Sequence, residues 1–178
     1  MHAHILVLVS LVLVGAVSLG SAAPSAAQAF VRERAPTDRA ADIPVQVLVR
    51  EMDMMEAEGA STVRLLEGGT HNVNIRHDEN ITRETSVVRS HPETVDVWIV
   101  QRGSGVLATG GKMVNGEHVG GVERVIAAGD VIFIPAKALH GIRETQSITW
   151  LNIRYDMPPG GLDEVTGRNR PANGGSRP

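Results

Sequence analysis

From Thr62 to Arg154 the chain reads as a succession of short β-rich runs broken by turn residues, and this pattern narrows the fold more than any other feature. The predicted strands are Thr62–Leu66, His71–His77, Glu84–Ser90, Val95–Gln101, Gly105–Thr109, Gly121–Ala127, Val131–Pro135, Leu139–Glu144 and Ile148–Arg154. Strands this short leave unpaired N–H and C=O groups along every free edge, so they need closure into a barrel or cover from a second sheet. The expectation is an all-β domain of antiparallel strands. Between Gly110 and Gly121 the sequence is rich in glycine, but it lacks phosphate-loop spacing and no helix follows. It reads as a loop joining two strands.

One helix is predicted ahead of the strands. Val45, Leu48, Val49, Met52 and Met55 recur at helical spacing, Asp42 stands where a cap belongs, Pro44 suits the first turn, and Gly59 ends the run. This stripe is read as core packing.

The ends of the chain have a different character. Residues 1–29 read as an export signal: an apolar stretch from Ile5 to Leu19 passes into small residues ending Ala27-Gln28-Ala29, an A-x-A cleavage pattern. The mature chain is then expected to start at Phe30, in the periplasm or outside the cell, with no stable membrane association once the signal is removed. The first residues carry no Lys or Arg, which keeps an uncleaved membrane anchor as the rival reading. Residues 30–41 are charged and carry Pro36 without any period, the mark of a flexible lead-in. Residues 42–155 form the domain, helix included. Residues 156–178 are poor in apolar side chains and are expected to be disordered, because they cannot bury enough surface to offset the entropy of ordering.

Composition removes several classes of function. With Cys 0, disulfides, thiolate nucleophiles, zinc–thiolate sites and lipoprotein anchoring are all excluded. The net charge of -3 comes without a basic block, and Trp 2, Tyr 1 and Phe 2 leave little to stack on bases, so nucleic acid is not an expected partner. A chain of 178 residues with 42% hydrophobic content sustains one domain with its own core. A small-molecule ligand is the partner that fits.

Two segments carry chemistry. Gly129-Asp130-Val131-Ile132-Phe133-Ile134-Pro135-Ala136-Lys137-Ala138-Leu139-His140 resembles the second motif of the cupin superfamily, G-x5-P-x-G-x2-H-x3-N, with Gly129, Pro135 and His140 in register. Lys137 stands at the family's glycine and Glu144 at its asparagine. Upstream, His91 to Gly103 resembles the first motif, H-x-H-x3-4-E-x6-G: His91 matches the second histidine, Asp96 the acid and Gly103 the closing glycine. Arg89 occupies the first histidine's place and Arg83 that of the glycine before it. The phrase Asp96-Val97-Trp98-Ile99-Val100, followed by glycine pairs, is similar to a group of small exported bacterial cupins.

The resemblance implies an antiparallel cupin-type (jelly-roll) β-barrel preceded by one short α-helix. It also implies a metal site of His91, Asp96 and His140, with Arg89 and Trp98 toward substrate. Alternation along a strand puts Val87, Arg89 and His91 on one face, and Asp96, Trp98 and Val100 on another. Imidazole and carboxylate without sulfur suit a divalent transition metal, Fe, Mn, Ni or Zn, and the sequence does not choose among them. Arg89 cuts both ways, since a guanidinium in a ligand's place either repels a cation or recruits an anion. Each residue also has a plainer reading: His140 as an interior histidine held by a carbonyl, His91 as a solvated turn residue, Asp96 as the partner of Arg89, Trp98 and Trp150 as core. His71 and His77 are weaker ligand candidates, and His118 is expected to be solvated. The functional expectation is an exported small-molecule cupin, in its sharper form a metal-dependent oxygenase or isomerase, with a non-catalytic, metal-free binding module as the alternative. A homodimer formed through sheet edges is a further expectation.

Overall fold

The computed structural model describes residues 30–157, so the expected export signal and most of the expected tail lie outside the described residues. Three long strands organise the domain: β3 (His71–Ile81), β4 (Thr94–Thr109) and β9 (His140–Asp156). β9 lies between the other two and is antiparallel to both. Outward from β3 come β2 (Thr62–Glu67) and β1 (Phe30–Arg34); beyond β4 come β7 (Val122–Ala127) along one half and β8 (Val131–Ile134) along the other. Among the described residues no helix is long and apolar enough to cross a membrane.

Four of the predicted runs are halves of longer strands. Val95–Gln101 and Gly105–Thr109 are joined in β4, and Leu139–Glu144 and Ile148–Arg154 in β9. The residues between them make bulges: the β4–β9 register slips between Val100 and Arg102, and twice more between Ser104 and Leu107. Gly103 is the pivot, at φ 69°, where an added Cβ would stand 2.0 Å from the Ser147 carbonyl oxygen. Bulges bend a strand and raise its twist, so this ribbon curls. The consequence is visible at its ends: His140 pairs with Thr109 and Arg154 pairs with Asp96, yet His140 and Asp96 meet at 3.5 Å. Only a ribbon rolled up on itself brings those two together, and the rolled ribbon is the barrel.

The inner surface of the barrel is filled at one end by Val100, Leu107, Ile126, Ile134 and Ile148, each 2% exposed or less. Burial of this kind stabilises by about 1.5–3 kcal/mol per side chain. A second core lies on the outer face, where Met52 and Met55 of helix α1 (Val45–Glu58) cover Leu65 and Ile75. The buried stripe is narrower than predicted, because Val45 and Val49 are 63% and 41% exposed. Asp42 does not cap the helix. Its N-cap position is Pro44, without a side-chain hydrogen bond, while Gly59 closes the other end in a left-handed conformation as expected. Arg102 holds the helix to β4 through Asp53 at 2.8 Å and Glu56 at 3.2 Å.

Three other expectations change. The strand predicted at Glu84–Ser90 is not formed; Thr82 and Thr85 bond to one another's hydroxyl and backbone groups and the Ser86 hydroxyl donates to the Arg83 carbonyl, a local alternative that competes with ladder pairing. Only Arg89 bridges, to His140. The glycine-rich loop contains a hairpin of β5 (Lys112–Val114) and β6 (Glu117–Val119), turned at Asn115-Gly116, a pair suited to tight hairpins. The segment read as a flexible lead-in starts with a strand: β1 runs parallel to β2, since the free edge of β2 offers its backbone groups to Phe30–Arg34.

Candidate functional site

β3, β9 and β4 turn alternate residues inward, and their register sets those residues in rows. Asn74, Asn152 and Trp98 form one row; Arg76, Trp150 and Val100 form the next. Of these, Asn152, Trp98, Arg76 and Trp150, with Asp78 on β3 and Asp96 and Arg154 toward the ends of β4 and β9, line a cavity of about 430 Å³. Val87, Arg89 and His91 all add to its wall, so the predicted common face is kept although no strand forms there.

Asp96 is the most enclosed of the predicted ligands, 1% exposed. His140 Nε2 lies 3.5 Å and His91 Nε2 3.7 Å from Asp96 Oδ2. The ligand atoms of all three lie within 4.8 Å of one another, so the sequence-predicted metal residues are brought together. Two local contacts aim them. His140 Nδ1 is 2.9 Å from the Ala138 carbonyl, a bond it makes as donor, which leaves the lone pair on Nε2 toward Asp96. The Lys137 N–H donates to the His91 carbonyl at 2.7 Å, tying the two motifs together. Lys137 adopts φ 69°, a left-handed conformation that favours glycine, here held by a side-chain-bearing residue at some cost in strain.

The partner of Asp96 is not Arg89. Arg154 Nε stands 2.8 Å from Asp96 Oδ1, close enough for an ion pair though not aligned as a hydrogen bond. Both carboxylate oxygens are buried and accept no hydrogen bond among the described residues. The donor set therefore fits a divalent ion: metal–ligand bonds of about 2.1 Å put adjacent donors ~3–3.5 Å apart, and the two His–Asp spacings need little contraction. Arg89 is exposed; it lines the cavity from the side, and its backbone pairs with that of His140 in both directions, at 2.8 and 2.9 Å. Trp98 meets His140 edge-on, with ring centroids 5.7 Å apart, and stacks at 4.6 Å on Trp150.

Burial and the nearby Arg154 charge hold the His91 pKa below its usual value. Burial likewise lowers Arg76 and raises Asp78. These two, with Asn152 and Arg154, are cavity residues that lie outside both motifs. Their signal in the sequence is the alternation Asn74, Arg76, Asp78 in a run flanked by Val73 and Ile75, with polar residues where a barrel interior lies. The other histidines do not join. His71 is exposed at the strand end, while His77 is buried against Thr149 at 2.9 Å, away from the cavity. His118 is not simply solvated, since its Nε2 pairs with the Gly110 carbonyl at 2.8 Å inside the hairpin. Glu144 is held in an ion pair with Arg83.

A rolled β4–β9 ribbon with two histidines and a carboxylate meeting inside it decides the architecture. The fold is of the cupin type. No family model matches the sequence, and no curated protein matches it. Among solved structures, a protein from Bacillus halodurans aligns at 17% identity and TM-score 0.49, over 71% of this chain and 89% of that one. A cupin superfamily protein from Desulfitobacterium hafniense aligns at 14% identity and TM-score 0.42, over 53% of this chain and 75% of its own. A protein with a double-stranded β-helix domain from Klebsiella pneumoniae aligns at 19% identity and TM-score 0.41, over 54% and 77%. At such identities and TM-scores these likenesses say nothing of the chemistry inside the fold.

Proposed function

We propose that this protein is an exported small-molecule cupin in which His91, Asp96 and His140 hold a divalent transition metal, Fe, Mn, Ni or Zn, and that it acts as a metal-dependent oxygenase or isomerase. The observation that carries this reading is a buried carboxylate without hydrogen-bond donors, flanked by two imidazole nitrogens at 3.5 and 3.7 Å. Such an ion supplies Lewis acidity toward a substrate oxygen and, where redox-active, one-electron chemistry. The chain's own groups do the rest. His140 presents Nε2 because the Ala138 carbonyl takes its Nδ1 proton; Arg154 keeps Asp96 facing the histidines; the stacked Trp98 and Trp150 exclude water from one wall. Arg89, exposed beside the cavity, adds a guanidinium toward a substrate carboxylate or phenolate.

Elemental analysis of the purified protein tests this. One equivalent of metal is expected, lost in both His91→Ala and His140→Ala; unchanged content in the two variants rejects the metal site.

A second reading has its own support. Arg154 already neutralises Asp96, and Arg89 stands at the first histidine's position, so the barrel is electrostatically complete as a metal-free binding module. Ligand affinity that survives chelation favours this reading, whereas turnover abolished by a chelator rejects it. Pairing of two copies along a sheet edge belongs to the same proposal, and a monomeric mass in solution removes it.

A further inference from the structure

We propose that Arg76 is the anion-recognition residue of this cavity, and that its ligand is a small organic carboxylate with a flat apolar body. The inference rests on the small-molecule role proposed above but not on the metal.

Arg76 projects from β3 and lies across from Trp150 on β9. The other enclosed guanidinium, Arg154, is engaged with Asp96. Arg76 has no such partner: among the described residues it makes neither an ion pair nor a side-chain hydrogen bond. Asp78, two residues along the same strand face, does not approach it closely enough for an ion pair. A partly buried cation without an ion-pair partner is costly, and a cavity wall is where a ligand can supply one. Of the charged groups around Arg76, Asp78 and Asp96 attract it, and Arg89 and Arg154 repel it.

The whole cavity repeats this bias. Its lining carries three guanidinium groups, Arg76, Arg89 and Arg154, against the two carboxylates Asp78 and Asp96, in a chain whose net charge is -3. Low-dielectric walls concentrate such a field inside a cleft. The uncharged groups are also short of acceptors. The indole Nε1 atoms of Trp98 and Trp150 are buried and find no acceptor among the described residues. A guanidinium only donates, so a ligand that meets Arg76 must bring acceptor oxygens. A carboxylate meets a guanidinium fork in two parallel bonds, and the paired indoles give its apolar body a flat wall. Arg89 differs in being exposed and hydrated, so its charge is screened where that of Arg76 is not.

The chain contains Trp 2, and both line this cavity, so intrinsic fluorescence reports on it alone. The protein, stripped with EDTA, is titrated with benzoate and with benzamide, which share shape but not charge. The expected result is saturable quenching by benzoate with benzamide at least about tenfold weaker. Arg76→Gln should weaken benzoate by about tenfold or more and leave benzamide unchanged. If that variant does not fold, Arg76→Lys decides: it keeps the charge, loses the fork, and should reduce the preference for benzoate several-fold. Equal binding of the two probes, an unaltered preference in the Arg76 variants, or no saturable binding up to ~10 mM overturns the proposal. Because metal content is read separately, unchanged metal content in His91→Ala and His140→Ala with benzoate binding intact defeats the metal reading and leaves this one standing.

Discussion

Replacing Arg154 by methionine should destabilise the metal-free protein sharply and the metal-loaded protein hardly at all. The reason lies in Asp96, 1% exposed, whose carboxylate has Arg154 as its ion-pair partner at 2.8 Å and accepts no hydrogen bond. Removing one member of a buried pair leaves the other as an uncompensated charge, at about 3–5 kcal/mol. Arg154 is 23% exposed, so water screens part of the interaction and about 2–3 kcal/mol is the working figure. For a domain of this size that corresponds to a Tm lower by roughly 6–12 °C. The assay is urea unfolding in EDTA, followed by tryptophan emission. Arg154→Met should lose stability, Asp96→Asn should lose less, and the double variant should recover much of the Arg154→Met loss because no buried charge is left. Saturating zinc should restore Arg154→Met by supplying positive charge at the same carboxylate. A single variant within about 0.5 kcal/mol of the parent, or a double variant no better than Arg154→Met, would overturn this account of the pair.

Two further outcomes follow from single residues. Lys137 at φ 69° sits in a conformation that glycine adopts freely, so Lys137→Gly should stabilise by about 0.5–1 kcal/mol after glycine's extra chain entropy is counted, read as a higher urea midpoint. A loss instead would mean that the lysine side chain stabilises the turn by more than its strain. His91, whose pKa burial and Arg154 hold below 6.5, binds protons less readily folded than unfolded. Stability of the metal-free protein should therefore be fully present above about pH 6.5 and fall as pH drops through the window toward the folded value, with His91→Gln flattening that slope in urea midpoints taken from pH 8 to 5.

Much of the site is legible in the order of residues alone. His140 can be picked out because Gly129, Pro135 and His140 keep the register of the second motif that the chain resembles, and His91 and Asp96 because they match two positions of the first. Trp98 follows from alternation with Asp96. Arg154 is not legible as a site residue, and Arg76 shows only through the polar alternation Asn74, Arg76, Asp78, because β3 reaches β4 only through β9 and motif spacing does not extend to either arginine. The strand predicted at Glu84–Ser90 fails for the opposite reason, since hydroxyl groups of Thr82, Thr85 and Ser86 decide that segment locally and against the ladder.

Chemistry that acts within a few residues is therefore written in the chain directly: the β-rich runs, the αL end of the helix at Gly59, the Asn115-Gly116 hairpin, and the order of the two motifs. How far the runs fuse, and which charges meet, depends on long-range packing. Whether Val95–Gln101 and Gly105–Thr109 are two strands or one depends on a partner, β9, that follows the bend at Gly103 with its own bulges. That curl sets Asp96 against Arg154 and not Arg89, and leaves Arg76 facing the cavity without an ion-pair partner. Pairing energies of this kind act across dozens of residues of chain, where neither alternation nor motif spacing carries information.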